Sequence, residues 1–423
     1  MSRMSRAGSL WRQRDFVLLW GSQTTSSLGN EISYLALPLV AGLVLDASPV
    51  ELGLLTAARR LPVLFASLPA GALSDRWRKR PVMIVAFLVS GCAMGTVPLA
   101  AAAGGLTLGQ LYAVALVVAT CEVFFTPAYQ TYPLTLLGPE RLMEGNAKLT
   151  STVTVAGMAG QPIGGVLISL FGPAKAVLAD ALSYLVGALA LALIRSPEAR
   201  PERKERAPRL REQIAEGLRY VVRHRVIGPL VLYMATVSFC IAGLSALEVN
   251  YVVRELGWSG LATGLVFGVS MAGGLAAGAI GGPLTERYGM PRVLLGAAFA
   301  YPLCSGSIGL VGPGLAGQLV VGVSWTLMII VTLVFQSTQR SLRQLLTPKE
   351  MQGRLAATSR WLTWAATPVG AVLAGALAAG IGMRGTLVVF SAGMLAGPVV
   401  MWCSPLRTSR REIERDVRTA TAG

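Results

Sequence analysis

The sequence predicts an all-α integral membrane protein with twelve transmembrane helices in two pseudo-symmetric six-helix bundles. Three observations predict this. Of 423 residues, 53% are hydrophobic and only 14% are charged, too few charges to cover a soluble surface of that size. Apolar stretches of about 20 residues, the length that crosses a bilayer, recur from one end to the other. Landmarks of the first half also return in the second at a nearly constant offset.

Taken in order, the spans are expected at 16–44, 50–73, 81–103, 108–134, 145–170 and 173–195, then at 227–253, 259–284, 291–311, 315–339, 355–380 and 383–403. The chain then divides into an N-terminal bundle (1–195), a linker (196–226), a C-terminal bundle (227–406) and a basic tail (407–423). Pro197, Pro201 and Pro208 amid dense charge mark the linker. In its second part Ile214, Leu218, Val221 and Val222 recur at helical spacing, with Arg211, Glu212, Glu216, Arg219 and Arg223 on other faces. That pattern predicts an amphipathic helix lying on the membrane surface. His224, the only histidine, is expected to be a surface residue.

The net charge of +16 does not point to nucleic acid, because its placement follows the positive-inside rule. Arg3, Arg6, Arg12 and Arg14 precede the first span, and Arg76, Arg78, Lys79 and Arg80 follow the second. The linker, the loops around Arg287, Arg292, Arg340, Arg343, Lys349 and Arg354, and the tail hold most of the rest. The alternate loops carry only Lys175, Arg254 and Arg384. Both termini are therefore expected in the cytoplasm, with the first span retained rather than cleaved. The excess of arginine over lysine suits a GC-rich bacterium, hence a bacterial plasma membrane. Cys92, Cys121, Cys240, Cys304 and Cys403 show no pairing or metal spacing and are expected to be packing residues.

The internal repeat is visible residue by residue. Gly71-Ala-Leu-Ser-Asp75-Arg76 before Arg80-Pro81 is matched by Gly282-Pro-Leu-Thr-Glu286-Arg287 before Pro291-Arg292. Gly138-Pro139-Glu140 and Gly145-Asn146 ahead of the fifth span are matched by Thr347-Pro348-Lys349 and Gly353-Arg354 ahead of the eleventh. Pro162-Ile-Gly164-Gly165 is echoed by Pro368-Val-Gly370. Two related halves joined by a charged linker are a recurrent transporter plan.

The run Gly71-Ala-Leu73-Ser-Asp75-Arg76-Trp-Arg78-Lys79-Arg80, with its degenerate second copy, resembles the signature of the major facilitator superfamily. The resemblance covers nearly the whole chain. It is strongest to the drug:proton antiporter branch with macrolide-efflux and siderophore-exporter proteins, through Leu61-Pro62, Leu68-Pro69-Ala-Gly71, Pro127-Ala128-Tyr129-Gln130 and Ala179-Asp180-Ala181-Leu-Ser183-Tyr184. It implies a central cavity between rocking halves, and a gating role for Gly71, Asp75, Arg76 and Arg80 with Gly282, Glu286 and Arg287. It also implies a small-molecule substrate, protons and the lipid bilayer as partners, no cofactor, no nucleic acid and a monomer. The fifth span departs from the antiporter pattern: Gln161 stands where the resembling proteins tend to have proline. The arginine motif of the fourth span is absent. Gly157, Gly160, Pro162, Gly164 and Gly165 nevertheless suit close helix packing.

Ionisable groups at bilayer depth cost several kcal/mol unless paired or hydrated, and so mark sites. Glu31, Arg59, Arg60, Glu122, Asp180 and Glu248 are the candidates for proton coupling. At 1.5 Å per residue, Glu31 and Glu122 both stand about 20 Å from the outer surface. A structural Arg–Glu pair is the competing reading. Stripes at helical spacing supply candidates for a substrate cavity: Ser26, Asn30 and Tyr34 on the first span, Phe125 and Tyr129 on the fourth, Ser238 and Ser245 on the seventh, and Trp325, Thr332 and Gln336 on the tenth. Aromatic, thioether and sparse polar groups suit an amphiphile better than a sugar.

No P-loop and no catalytic or metal cluster is present in the sequence. The expectation is a non-enzymatic secondary transporter that exports amphiphilic molecules against proton entry. Proton-coupled import of a nutrient is the alternative. A membrane enzyme or a non-transporting receptor is disfavoured.

Overall fold

The computed structural model describes residues 10–74, 77–198, 218–347 and 349–405. The first half comprises α1 (Arg14–Leu39), α2 (Pro49–Ser74), α3 (Lys79–Ala102), α4 (Leu108–Leu137), α5 (Leu142–Phe171) and α6 (Pro173–Ala192). The second comprises α7 (Ile227–Asn250), α8 in two pieces (Gly260–Ser270 and Gly273–Tyr288), α9 (Met290–Ile308) and α10 (Leu315–Leu346). A single long helix, Lys349–Gly393, then turns at Gly382 (φ 77°), and Ala396–Trp402 follows. We treat this stretch as α11 (349–381) and α12 (383–402). Helices are the expected solution in lipid, where each must satisfy its own backbone.

Nine helical stretches among the described residues are long and apolar enough to cross a membrane, one of them spanning both α11 and α12. The molecule is a multi-pass membrane protein. Its exterior carries the apolar residues that a soluble protein would bury, such as Val85, Leu99, Leu189, Val269 and Leu319.

The two halves repeat in packing as well as in sequence. In the first, α1 packs on α5 and α6, and α4 on α2 and α3. In the second, α7 packs on the α11–α12 helix, and α10 on α8 and α9. Both α1 and α7 end in a five-residue π turn, Val40–Val44 and Tyr251–Glu255. Glycines with positive φ, Gly172 (82°) and Gly382 (77°), make the α5–α6 and α11–α12 corners, where a side chain would be strained.

Between the halves, α2 meets α11 and α5 meets α8, and α7 also touches α1 and α2. The hydrogen bonds joining the halves among the described residues all lie at the face away from the termini, the far face. Asn250 Nδ2 donates to Pro38 O (3.1 Å), Arg254 Nη1 to Ala47 O (3.1 Å) and Leu261 N to Ser169 Oγ (2.9 Å). An Arg254–Asp46 ion pair completes the set. Glycine makes this approach possible. A Cβ on Gly165 would stand 3.1 Å from Gly264 Cα, and one on Gly375 would stand 3.0 Å from Val50 Cα.

At the terminal face, charged groups cap helix ends. Arg80 Nε and Nη2 donate to Leu191 O (2.8 Å) and Ala192 O (2.5 Å) at the C-terminus of α6. The Glu198 carboxylate accepts from the Lys79 and Arg80 amides at the start of α3 (2.5 and 3.1 Å). Each places charge where the helix dipole favours it. At the far face Arg384 Nε does the same for Gly309 O (2.8 Å). His224 is half-buried, and its Nδ1 accepts from the Val226 and Ile227 amides (3.2 Å each), so it caps the start of α7. The interfacial helix falls largely outside the described residues, which begin again at 218; 218–223 is helical. The expected packing role of the cysteines holds for Cys240 alone in full: Cys121 and Cys304 are partly buried, and Cys92 and Cys403 are exposed.

Candidate functional site

The charged residues gather where α1, α2, α4, α6, α7 and α11 face one another. A cavity of about 320 Å³ between the halves is bordered by Arg59, Arg60, Glu122, Thr126, Gln130, Ser238, Arg360, Trp364 and Thr367 over an apolar wall. A second, of about 340 Å³, adjoins it through Arg59 and Glu122 and adds Asn30, Glu31, Tyr34 and Asp180. Two smaller spaces, of about 130 and 150 Å³, share Tyr34 and reach Ser245, and the 130 Å³ one also reaches Glu248. Tyr34 therefore stands at the junction of three of these spaces.

Local sequence explains how the charges are held. Glu122 lies halfway along α4, which carries Pro127 and Pro133 inside the helix. Proline leaves a carbonyl without its usual donor and bends the helix. Nearby hydroxyls bond the backbone, Thr126 Oγ1 to Glu122 O (2.8 Å) and Thr131 Oγ1 to Pro127 O (2.9 Å).

Glu31 is positioned from α5. Gln161 is 2% exposed and its Nε2 donates to Glu31 Oε2 at 2.8 Å. The departure noted in the fifth span is thus a direct hydrogen-bond partner for a half-buried carboxylate. The small residues around Gln161 make room for the contact. A Cβ on Gly160 would lie 3.1 Å from Leu28 O, and one on Gly164 would lie 3.1 Å from Ile32 Cα. Pro162 packs against Gly268, and Gly157 lies near Met271, so a neighbouring face of α5 meets α8.

Asp180 is 1% exposed and accepts from Ser183 Oγ (3.2 Å). Tyr184, one turn on, donates to Asn30 Oδ1 (2.6 Å). Arg59 is close enough to act electrostatically on both Glu31 and Asp180, and Arg60 on Glu122. Yet the ion pairs within 4.0 Å among the described residues are Arg141–Glu144, Lys148–Glu144 and Arg254–Asp46. None involves a cavity charge. The self-neutralised Arg–Glu pair weighed from the sequence does not form here. Glu248 stands apart in the second half, where the Trp325 indole N–H donates to its carboxylate.

The other sequence candidates are placed unevenly. Asn30, Tyr34, Ser238 and Ser245 border the cavities. Ser26 is buried at 3% exposure against the helices. Phe125 stacks between Phe87 (4.5 Å) and Tyr129 (5.6 Å) inside the first bundle. Trp325 stacks on Phe267 (3.5 Å), and Thr332 and Gln336 do not border these spaces. Their stripes were read from spacing alone, which shows that residues share a face but not which neighbour that face meets.

Of the signature residues, Asp75 and Arg76 lie outside the described residues, and of Gly71 only its helical backbone is described. Gly282, Glu286 and Arg287 are exposed at the terminal end of α8, with Arg287 over the Tyr288 ring at 5.4 Å. Sequence reasoning passed over Arg360, Trp364 and Gln130. Arg360 lies 5.9 Å from the Trp364 ring centre; their four-residue spacing was the available signal. No group of His, Cys, Asp and Glu among the described residues has metal-binding geometry.

Comparison with known proteins agrees with this architecture. The Multidrug efflux pump Tap of Mycolicibacterium fortuitum is 29% identical over 419 residues, covering 92% of this chain and 96% of its own. Tap of Mycobacterium tuberculosis (strain H37Rv) is 28% identical over 422 residues, covering 96% and 95%. Among solved structures, a bacterial homolog of the human lysosomal transporter Spinster, inward-facing and unoccupied, superposes with a TM-score of 0.70 at 16% identity. It covers 98% of this chain and 99% of its own. The family model for the Major Facilitator Superfamily matches residues 19–359. With that match, two repeated six-helix bundles and a charged cavity between them, this chain belongs to the Major Facilitator Superfamily.

Proposed function

We propose that this protein is a proton-coupled exporter of amphiphilic small molecules, working by alternating access in a bacterial plasma membrane with both termini in the cytoplasm. The observation that carries the reading is the cavity between the halves. Carboxylates and arginines without an ion-pair partner among the described residues share it with an apolar wall, as in the central sites of transporters of this plan. The relatives named as multidrug efflux pumps support export over import, and the placement of basic loops supports the orientation.

In this reading Glu31, Glu122 and Asp180 are the proton-accepting groups, with Arg59 and Arg60 setting their field. Protonation changes the charge of the cavity and so the relative energy of its two open states. Glu248, hydrogen-bonded to Trp325, is a separate candidate in the second half. The far-face contacts between α1 and α7, α2 and α11, and α5 and α8 close that end. They must part when the other end closes. Gly71, Asp75, Arg76 and Arg80, with Gly282, Glu286 and Arg287, carry the gating role that the family resemblance implies. The chain acts as a monomer, with each bundle moving as a body.

The test is transport in everted membrane vesicles. Respiration acidifies the vesicle interior, and a panel of fluorescent hydrophobic amines and siderophores is offered outside. Accumulation that collapses with a protonophore is the expected result, lost in Glu31→Gln and Glu122→Gln. The reading fails if no compound moves, or if movement ignores the protonophore.

A further inference from the structure

The cavity charges carry an inference about the cargo, resting on the transport reading above. Three arginines, Arg59, Arg60 and Arg360, and three carboxylates, Glu31, Glu122 and Asp180, border the two adjoining spaces. They are partly segregated. Arg60 and Arg360 come from opposite halves and, of these two spaces, border the one of about 320 Å³ between the halves. Glu31 and Asp180 border only the space behind it, within the first half. Glu122 and Arg59 border both. Arg60, Glu122 and Arg360 are all exposed, though each borders the cavity. None of the six forms an ion pair within 4.0 Å among the described residues.

Unpaired charge at membrane depth is costly and is tolerated where water or a ligand supplies the counter-charge. The two poles are equal in formal charge, so a singly charged ligand satisfies one pole and leaves the other unmet. A ligand with both charges answers both. Guanidinium groups take a carboxylate in directed, charge-assisted hydrogen bonds, and a carboxylate takes an ammonium equally well. Val63, Val123 and Ile241 offer an apolar surface beside them.

We propose that the transported molecules are zwitterionic amphiphiles, bound with the anionic group between Arg60 and Arg360 and the cationic group toward Glu122 and the carboxylates behind it. Such a cargo has a direct route to exchange with protons. The cation and the proton compete for the same carboxylates, while the anionic end holds the molecule between the halves.

The experiment uses three dansyl probes on the purified full-length protein in nanodiscs, titrated by fluorescence without any gradient. Nα-dansyl-lysine carries both charges, dansylnorleucine only the carboxylate and dansylcadaverine only the ammonium. Nα-dansyl-lysine is expected to bind at least tenfold more tightly than either. Arg360→Gln should remove its advantage over dansylcadaverine, and Glu122→Gln its advantage over dansylnorleucine, while Arg360→Lys keeps most of it. Equal or tighter binding of a singly charged probe overturns the proposal, and so does the absence of binding by all three. The wild-type titration decides the matter even where a variant fails to fold. Because no gradient is used, this result is separable from proton coupling: vesicle transport can fail while the charge preference stands, or the reverse.

Discussion

Gln161 and Glu31 lie 130 positions apart and meet through a 2.8 Å hydrogen bond inside the first bundle. A glutamine at that place in a small-residue helix has a physical reason only once its partner is seen. Glu31 is half-buried, and a carboxylate that loses its donor there carries part of its desolvation penalty, up to about 1–3 kcal/mol. Gln161→Ala is therefore expected to lower the thermal stability of the purified protein by about 1–3 kcal/mol and to impair proton-coupled transport, whereas Gln161→Asn loses less of each. An alanine variant with wild-type melting and transport would remove the contact from the account. At this scale the sequence was informative about which residue types to watch. Glu31, Arg59, Arg60, Glu122 and Asp180 stand out because charge is rare in apolar spans, and all five border the cavity. Arg360 was hidden because it sits at the start of its span, where arginine is ordinary.

Helix α5 connects residue chemistry to movement. Two adjoining faces serve two neighbours: Gly160 and Gly164 admit α1, and Gly165 admits α8. The first contact lies within a half and the second joins the halves, so equal substitutions should act differently. Gly165→Leu places a side chain where Gly264 backbone stands, and overpacking of this kind costs about 1–3 kcal/mol. It is expected to part the far face and trap the protein with that end open. A cysteine introduced at Val50 should then react faster with a membrane-impermeant maleimide, and transport should fall. Unchanged labelling would show that the far-face contacts do not set the conformational balance. Helix existence and order were legible in the sequence because hydrophobic length alone dictates them. The break in α8, the π turns ending α1 and α7, and the partners of each face were not, since they depend on packing between distant segments.

The two halves share one plan down to their terminal π turns and corner glycines, and that repetition places their charges on opposite sides of one cavity. The first half contributes three carboxylates and two arginines to it, while α11 of the second contributes Arg360. This asymmetry on a symmetric frame is what exchange of cargo and protons requires: a titratable set that the moving partner opens to one face at a time. The repeat was readable from matched junctions such as Gly71–Arg76 and Gly282–Arg287, whereas the cavity was not, because it belongs to the space between halves. The most direct test is counter-flow in proteoliposomes containing the purified protein and a trapped pH-sensitive dye. Adding an exported amphiphile to one side of a membrane at equal pH should drive protons the opposite way, in wild-type protein and not in Glu122→Gln. Substrate movement with no proton flux, or with protons travelling alongside it, would contradict the account.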